Sequence, residues 1–146
     1  MSVRRIVVGV DGSDNAAAAV RWTAALAAQL GAEVVAVHAF EPLALLGEVP
    51  PPVDFAALRA AAEEDLQQRW CEPLHAAGVA VRAVVLERGP VEALVEAADE
   101  ADADLVVVGA RGRSTLRGLV LGSTSQKLPH ETRRPVCIVH PDRVSP

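Results

Sequence analysis

Five runs of apolar, largely β-branched residues recur along the chain, and a helical stripe stands between each run and the next. The runs are Arg4 to Val10 (RRIVVGV), Ala32 to Phe40 (AEVVAVHAF), Val79 to Glu87 (VAVRAVVLE), Ala103 to Gly109 (ADLVVVG) and Arg134 to His140 (RPVCIVH). A short continuous apolar run reads as a strand covered on both faces. Trp22, Leu26 and Leu30, with Ala19 and Ala25 beside them, form the first helical stripe, closed by Gly31. Phe55, Leu58, Ala62 and Leu66 form the second, which continues to about Leu74 and is closed by Gly78; Val91, Leu94, Val95 and Ala98 form the third. A short last helix begins near Thr124. This alternation implies βαβ units with right-handed crossovers, and so an α/β fold with a mainly parallel sheet and helices on both faces. The segment EPLALLGEVPPPVD, with four prolines and one glycine, reads as a loop. It is too short to divide the chain, and residues 1–146 read as a single domain.

Composition narrows the function. The net charge is −5, the arginines are spread out and Lys127 is the only lysine, which argues against a nucleic-acid partner. No segment approaches the roughly 18 apolar residues of a membrane helix, and the first apolar run is too short for a secretion signal. Cys71 and Cys137 form no C-x-x-C pair, which favours a reducing compartment. The expectation is a soluble cytoplasmic protein with no membrane partner. His38, His75, His130 and His140 have no metal-ligand spacing and are assigned structural or surface roles. Cys71 is expected at a partly exposed position and Cys137 in a buried one. Asp99, Glu100, Asp102 and Asp104 read as a solvated helix end.

The segment GARGRSTLRGLVLGST, Gly109 to Thr124, leaves the carboxyl end of the fourth run, where open α/β sheets bind their ligands. Residues 110 to 121 separate strand from helix cap, against the ~2–6 residues usual for such a connection. Gly109, Gly112 and Gly122 allow close approach of backbone N–H groups to a ligand. Ser123 reads as the helix N-cap, with Gln126 reaching back to its N–H. The free N–H groups of Thr124, Ser125 and Gln126 then face an anion, aided by the helix dipole. Arg111, Arg113 and Arg117 add positive charge. These features describe a phosphate cradle; the same glycines and capping residues also suit a purely structural turn. The segment is neither a G-x-x-x-x-G-K-[ST] loop nor a G-x-G-x-x-G fingerprint. Asp11 ends the first run, in DGSD, either as a ligand acceptor or as a turn residue. A phospho-acceptor domain is disfavoured: Asp14 is the only other carboxylate near Asp11, and Lys127 precedes the last run instead of ending it.

The spacing Gly109-x-x-Gly112, nine residues, Gly122-Ser123 resembles that of the universal stress protein family. IVVGVDGS, RGPVEALVEAADEADADLVVVGARGRS and RPVCIVH are similar to the same family, and the resemblance covers nearly the whole chain. It implies an open five-stranded parallel sheet of order 3-2-1-4-5, Rossmann-like and of the adenine nucleotide alpha hydrolase type. It also implies a homodimer and, in the branch that carries the glycine motif, ATP binding. By this resemblance Val10 and Asp11 lie near ribose and adenine, and the backbone of Ala39 reads the adenine edge. Gly109, Gly112, Gly122, Ser123, Thr124 and Ser125 hold ribose and phosphates, while Val108, Ala110 and Arg111 line the site. Pro129 departs from a regular helix and implies a short or kinked one.

No general base and no Ser-His-Asp or Cys-His arrangement can be assigned beside the loop, so no catalytic residue is named. The reading that follows is a dimeric ATP-binding regulatory protein of the stress response. Its alternatives are a slow ATPase or phosphotransferase using the same loop with Mg2+, and a dimeric scaffold that binds no nucleotide. In the order 3-2-1-4-5 the last run, through Val136 to His140, is an apolar edge strand, and pairing with its copy in a second molecule would cover it.

Overall fold

The computed structural model of the chain describes residues 1–112 and 121–141. In order, the elements are β1 (Arg5–Gly9), α1 (Asp14–Leu30), β2 (Glu33–Ala39), a 3-10 turn (Pro42–Leu45), α2 (Phe55–Asp65), a π-helical turn (Leu66–Trp70), α3 (Glu72–Ala76), β3 (Val81–Leu86), α4 (Pro90–Ala101), β4 (Leu105–Gly109), α5 (Ser123–Glu131) and β5 (Val136–Val139). The strands form one parallel sheet in the order β3-β2-β1-β4-β5, as the resemblance implies.

Ile6, Val7 and Val8 of the central strand are all fully buried, because successive side chains point to opposite covered faces. Ile6 and Val8 join a core beneath α1, α2 and α3; Val7 joins a second core beneath α4 and α5. Asp104 secures the start of β1: its Oδ2 accepts the N–H groups of Arg4 (2.8 Å) and Arg5 (3.1 Å). Asp99 and Asp102 pair with Arg134, which also donates to the Ala103 carbonyl at 2.9 Å, so this acidic helix end is tied to the approach to β5.

Four local expectations are corrected. The buried face of α1 is made of Ala16, Ala18, Ala19, Val20, Thr23, Ala24 and Ala27, whereas Trp22 and Leu26 lie at its margin and Leu30 and Ala25 are exposed. Small side chains let the helix axis approach the sheet closely, and larger ones pack on its shoulders. The second helix does not run unbroken to Leu74, since a π-helical turn separates α2 from α3. The two cysteines reverse their expected places: Cys71 is fully buried, and burial pushes its thiol up to about 11, whereas Cys137 is only half-buried. The proline-rich loop contains the 3-10 turn Pro42–Leu45. Pro129 lies inside α5, which ends two residues later at Glu131.

Candidate functional site

A cleft of about 1920 Å³ opens beyond the carboxyl ends of β1, β2 and β4, where β1 leads off to one side of the sheet and β4 lies on the other. Val10, Asp11, Ala39, Val108, Gly109, Arg111, Gly112, Gly122, Ser123, Thr124 and Ser125 all line it. Residues as far apart in the sequence as Val10 and Ser125 thus meet at one place, because parallel strands bring all their carboxyl ends to one edge of the sheet. Arg113 and Arg117, which the sequence adds to the same site, lie outside the described residues.

On one side of the cleft stands α5. Its N-cap is Gly122, in extended conformation (φ −86°), and Ser123 is the first helical residue, so the capping expectation is displaced by one. The Gly122 N–H donates to the Ala110 carbonyl at 2.6 Å and to Ser125 Oγ at 3.0 Å, and the Gly122 carbonyl accepts the Gln126 N–H at 3.1 Å. The Gln126 N–H is therefore used within the helix, and its side chain donates to the Leu121 carbonyl at 3.0 Å instead of reaching Ser123. Ser123, Thr124 and Ser125 carry the N–H groups that lack a helical acceptor. Ser125 is buried, and its hydroxyl donates to the Ala110 carbonyl at 2.7 Å. Only its backbone N–H is left for a ligand; the hydroxyl fastens the start of α5 to the residue that follows β4.

Gly109 has a packing reason for being glycine. A Cβ there would lie 2.6 Å from the carbonyl carbon of Asn15 and 2.7 Å from its oxygen. The backbone of β4 and the first turn of α1 therefore touch, and the Arg111 N–H reaches Asn15 Oδ1 at 3.3 Å. The same turn orients Asp11. Asp11 Oδ1 accepts the Ser13 N–H at 2.9 Å and the Ser13 hydroxyl at 2.5 Å, while Ser13 Oγ caps α1 by accepting the Ala16 N–H at 3.1 Å. The carboxylate is thus fixed by a helix cap at the mouth of the cleft.

At the other end, Val10 donates its N–H to Val37 (2.8 Å), and its carbonyl accepts a hydrogen bond from His38 Nδ1 (2.8 Å). A carbonyl only accepts, so Nδ1 carries the proton. Both Val10 backbone groups are engaged within the protein. Along β2 the Val37 carbonyl faces β1, and residue 39 follows with the same facing. Since β1 ends at Gly9, the peptide edge of Ala39 is turned toward the cleft. Trp70, which the sequence reading passed over, also lines the cleft and packs on His38 with ring centroids 5.2 Å apart.

The universal stress protein family model matches residues 2–140. The chain is 38% identical over 138 residues to a universal stress protein of Thermus aquaticus, across 93% of this chain and 98% of that protein. It is equally similar, over 136 residues, to one of Mycobacterium tuberculosis, across 91% of this chain but only 44% of that longer protein. Among solved structures, a universal stress protein in complex with cAMP shares 34% identity at a TM-score of 0.67, over 99% of this chain and 100% of the other. The universal stress protein from Archaeoglobus fulgidus in complex with dAMP shares 27% identity at a TM-score of 0.67, over 94% and 98%. Among the described residues, no helix is long and apolar enough to cross a membrane.

Proposed function

The chain belongs to the universal stress protein family, and on that premise we propose that it is an ATP-binding regulatory module of the stress response. The observation that carries the proposal is the start of α5: three backbone N–H groups without helical acceptors, at the positive end of a helix dipole, on the wall of a cleft. In this reading Ser123, Thr124 and Ser125 meet the phosphates through their N–H groups. Gly109 lets the end of β4 lie against the first turn of α1, Gly112 leaves room for Asp11, Gly122 opens the helix beside the phosphates, Asp11 accepts from the ribose, and the Ala39 peptide edge meets the base. Val10 and Val108 supply apolar walls, and Arg111 adds charge near the phosphates. The related structures bound to cAMP and dAMP support an adenine nucleotide as the ligand class. ATP is the proposed member, because three donors and an arginine suit more than one phosphate. Mg2+ would accompany it through the phosphate oxygens.

The proposed assembly is a homodimer through β5. The carbonyls of Pro135 and Val139 accept the N–H groups of Val106 on β4 and of Ala110 just after it. By alternation Val136 and Ile138 turn their backbone groups to the open edge, where a second copy would pair. We place the protein in the cytoplasm; the two free thiols of Cys71 and Cys137 support this.

Mass spectrometry of the small molecules released on denaturing gently purified protein, with calorimetric titration of ATP, AMP and cAMP, tests the nucleotide assignment. An adenine nucleotide in the released fraction and tightest binding of ATP are expected. A protein that carries no nucleotide and takes up none would end this reading.

A further inference from the structure

The π-helical turn changes which residue faces the core. Phe55, Leu58, Ala62 and Leu66 follow helical spacing, and an α-helix would next place Trp70 above Leu66 on the same inner face. Instead the Cys71 N–H donates to the Leu66 carbonyl, five residues back, at 3.0 Å. The extra residue in this turn carries Cys71 and Leu74 inward, both fully buried, and leaves Trp70 half-buried, at the margin of the core and in the cleft lining. Such turns recur at functional sites. What surrounds the displaced ring gives this one its meaning. A Cβ on Gly12 would lie 2.7 Å from Trp70 Cζ2, so residue 12 has no side chain where the indole edge lies over it, and its φ of +80° suits glycine. On its other neighbour, His38, the indole packs at a 57° tilt. Gly12 adjoins Asp11, and His38 adjoins Ala39. The indole therefore rests on the immediate neighbours of the two residues assigned to ribose and base.

We propose that Trp70 is the base-stacking wall of the cleft, an indole set against the planar purine of the bound nucleotide. The proposal rests on the nucleotide reading above and specifies its nucleoside end. Aromatic faces bind bases by stacking, which is worth ~1–3 kcal/mol per base, about a 5- to 150-fold change in affinity. Phosphate binding at α5 takes no part in it. Trp70 thus governs the choice between a nucleotide and a bare polyphosphate.

The test compares ATP with inorganic tripolyphosphate as titrants of the full chain. Trp70→Leu is expected to weaken ATP about tenfold or more and to leave tripolyphosphate within about twofold, while Trp70→Phe keeps most of the ATP affinity. A second measurement leaves residue 70 untouched: in Trp22→Phe protein Trp70 is the only tryptophan, and saturating ATP should quench its fluorescence while tripolyphosphate does not. Unchanged ATP affinity in Trp70→Leu, or no quenching at saturation, overturns the role of Trp70 and leaves the nucleotide reading standing. Wild-type protein that binds no ATP overturns both.

Discussion

Asp11 and Gly112 meet across the mouth of the cleft so closely that a Cβ on residue 112 would lie 2.9 Å from Asp11 Oδ2. Asp11 cannot simply swing aside, because its other oxygen is held by the backbone and the hydroxyl of Ser13. Gly112→Ala is therefore expected to act through Asp11. Both Gly112→Ala and Asp11→Ala should weaken ATP while sparing tripolyphosphate, and the double variant should bind ATP no worse than the weaker single one. Calorimetric titration of the three variants gives the coupling directly. Additive losses would show that the two positions act separately.

The Ser125 hydroxyl should affect phosphates without touching them. Ser125→Ala removes a buried hydroxyl that joins the start of α5 to Ala110, at a cost of about 1–2 kcal/mol of stability. With that fastening gone, the N–H groups of Ser123 and Thr124 lose their fixed direction, so ATP should weaken more than adenosine does. Urea unfolding and paired titrations read the two effects. An equal loss for both ligands would contradict the assignment of Ser125 to the phosphate end.

The alternation along β5 makes neighbouring positions behave differently. Ile138→Pro removes a donor from the outward edge and should shift the proposed dimer toward monomer with the fold retained. Cys137→Pro removes a donor directed at β4 and should instead lower the unfolding midpoint. Light scattering beside thermal unfolding separates the outcomes. A monomeric wild type at concentrations far above micromolar would remove the basis for the comparison and for the dimer.

Asp104 gives stability a pH dependence of known sign. The N–H groups of Arg4 and then Arg5 hold its carboxyl below its ordinary value of 3.8. Because the folded value is the lower one, the contribution is fully present above about pH 4 and is lost as pH falls through the folded value. Asp104→Asn should be less stable at pH 7 and should lose less stability than the wild type between pH 5 and pH 3. Urea midpoints at three pH values test this, and parallel curves for the two proteins would refute it.

The strands were legible because their β-branched runs are continuous, and the observed boundaries fall within two residues of the expected ones. The face of α1 was not, since Trp22, Leu26 and Leu30 dominate a hydrophobic count while alanines make the contact. The π-helical turn left no trace either. No glycine or proline marks Leu66 to Trp70, and the inward placement of Cys71 is decided by the core it joins. Within the cleft, Gly109, Gly112 and Gly122 are among the lining residues. The choice between Ser123 and Ser125 as the anchoring hydroxyl depends on the Ala110 carbonyl, a contact 15 residues away that local capping patterns do not encode.

The central strand also has a history during synthesis. β1 precedes every other strand, and β2 and β3 can complete one half of the sheet from residues that follow soon after it. Its second flank is β4, and the clasp that locks its first residues is Asp104, 100 positions beyond Arg4. Until that stretch emerges from the ribosome, the other edge of Ile6, Val7 and Val8 stands unpaired and apolar. The growing chain is then most open to sticking to its neighbours, and translation speed ahead of residue 104 sets how long that exposure lasts.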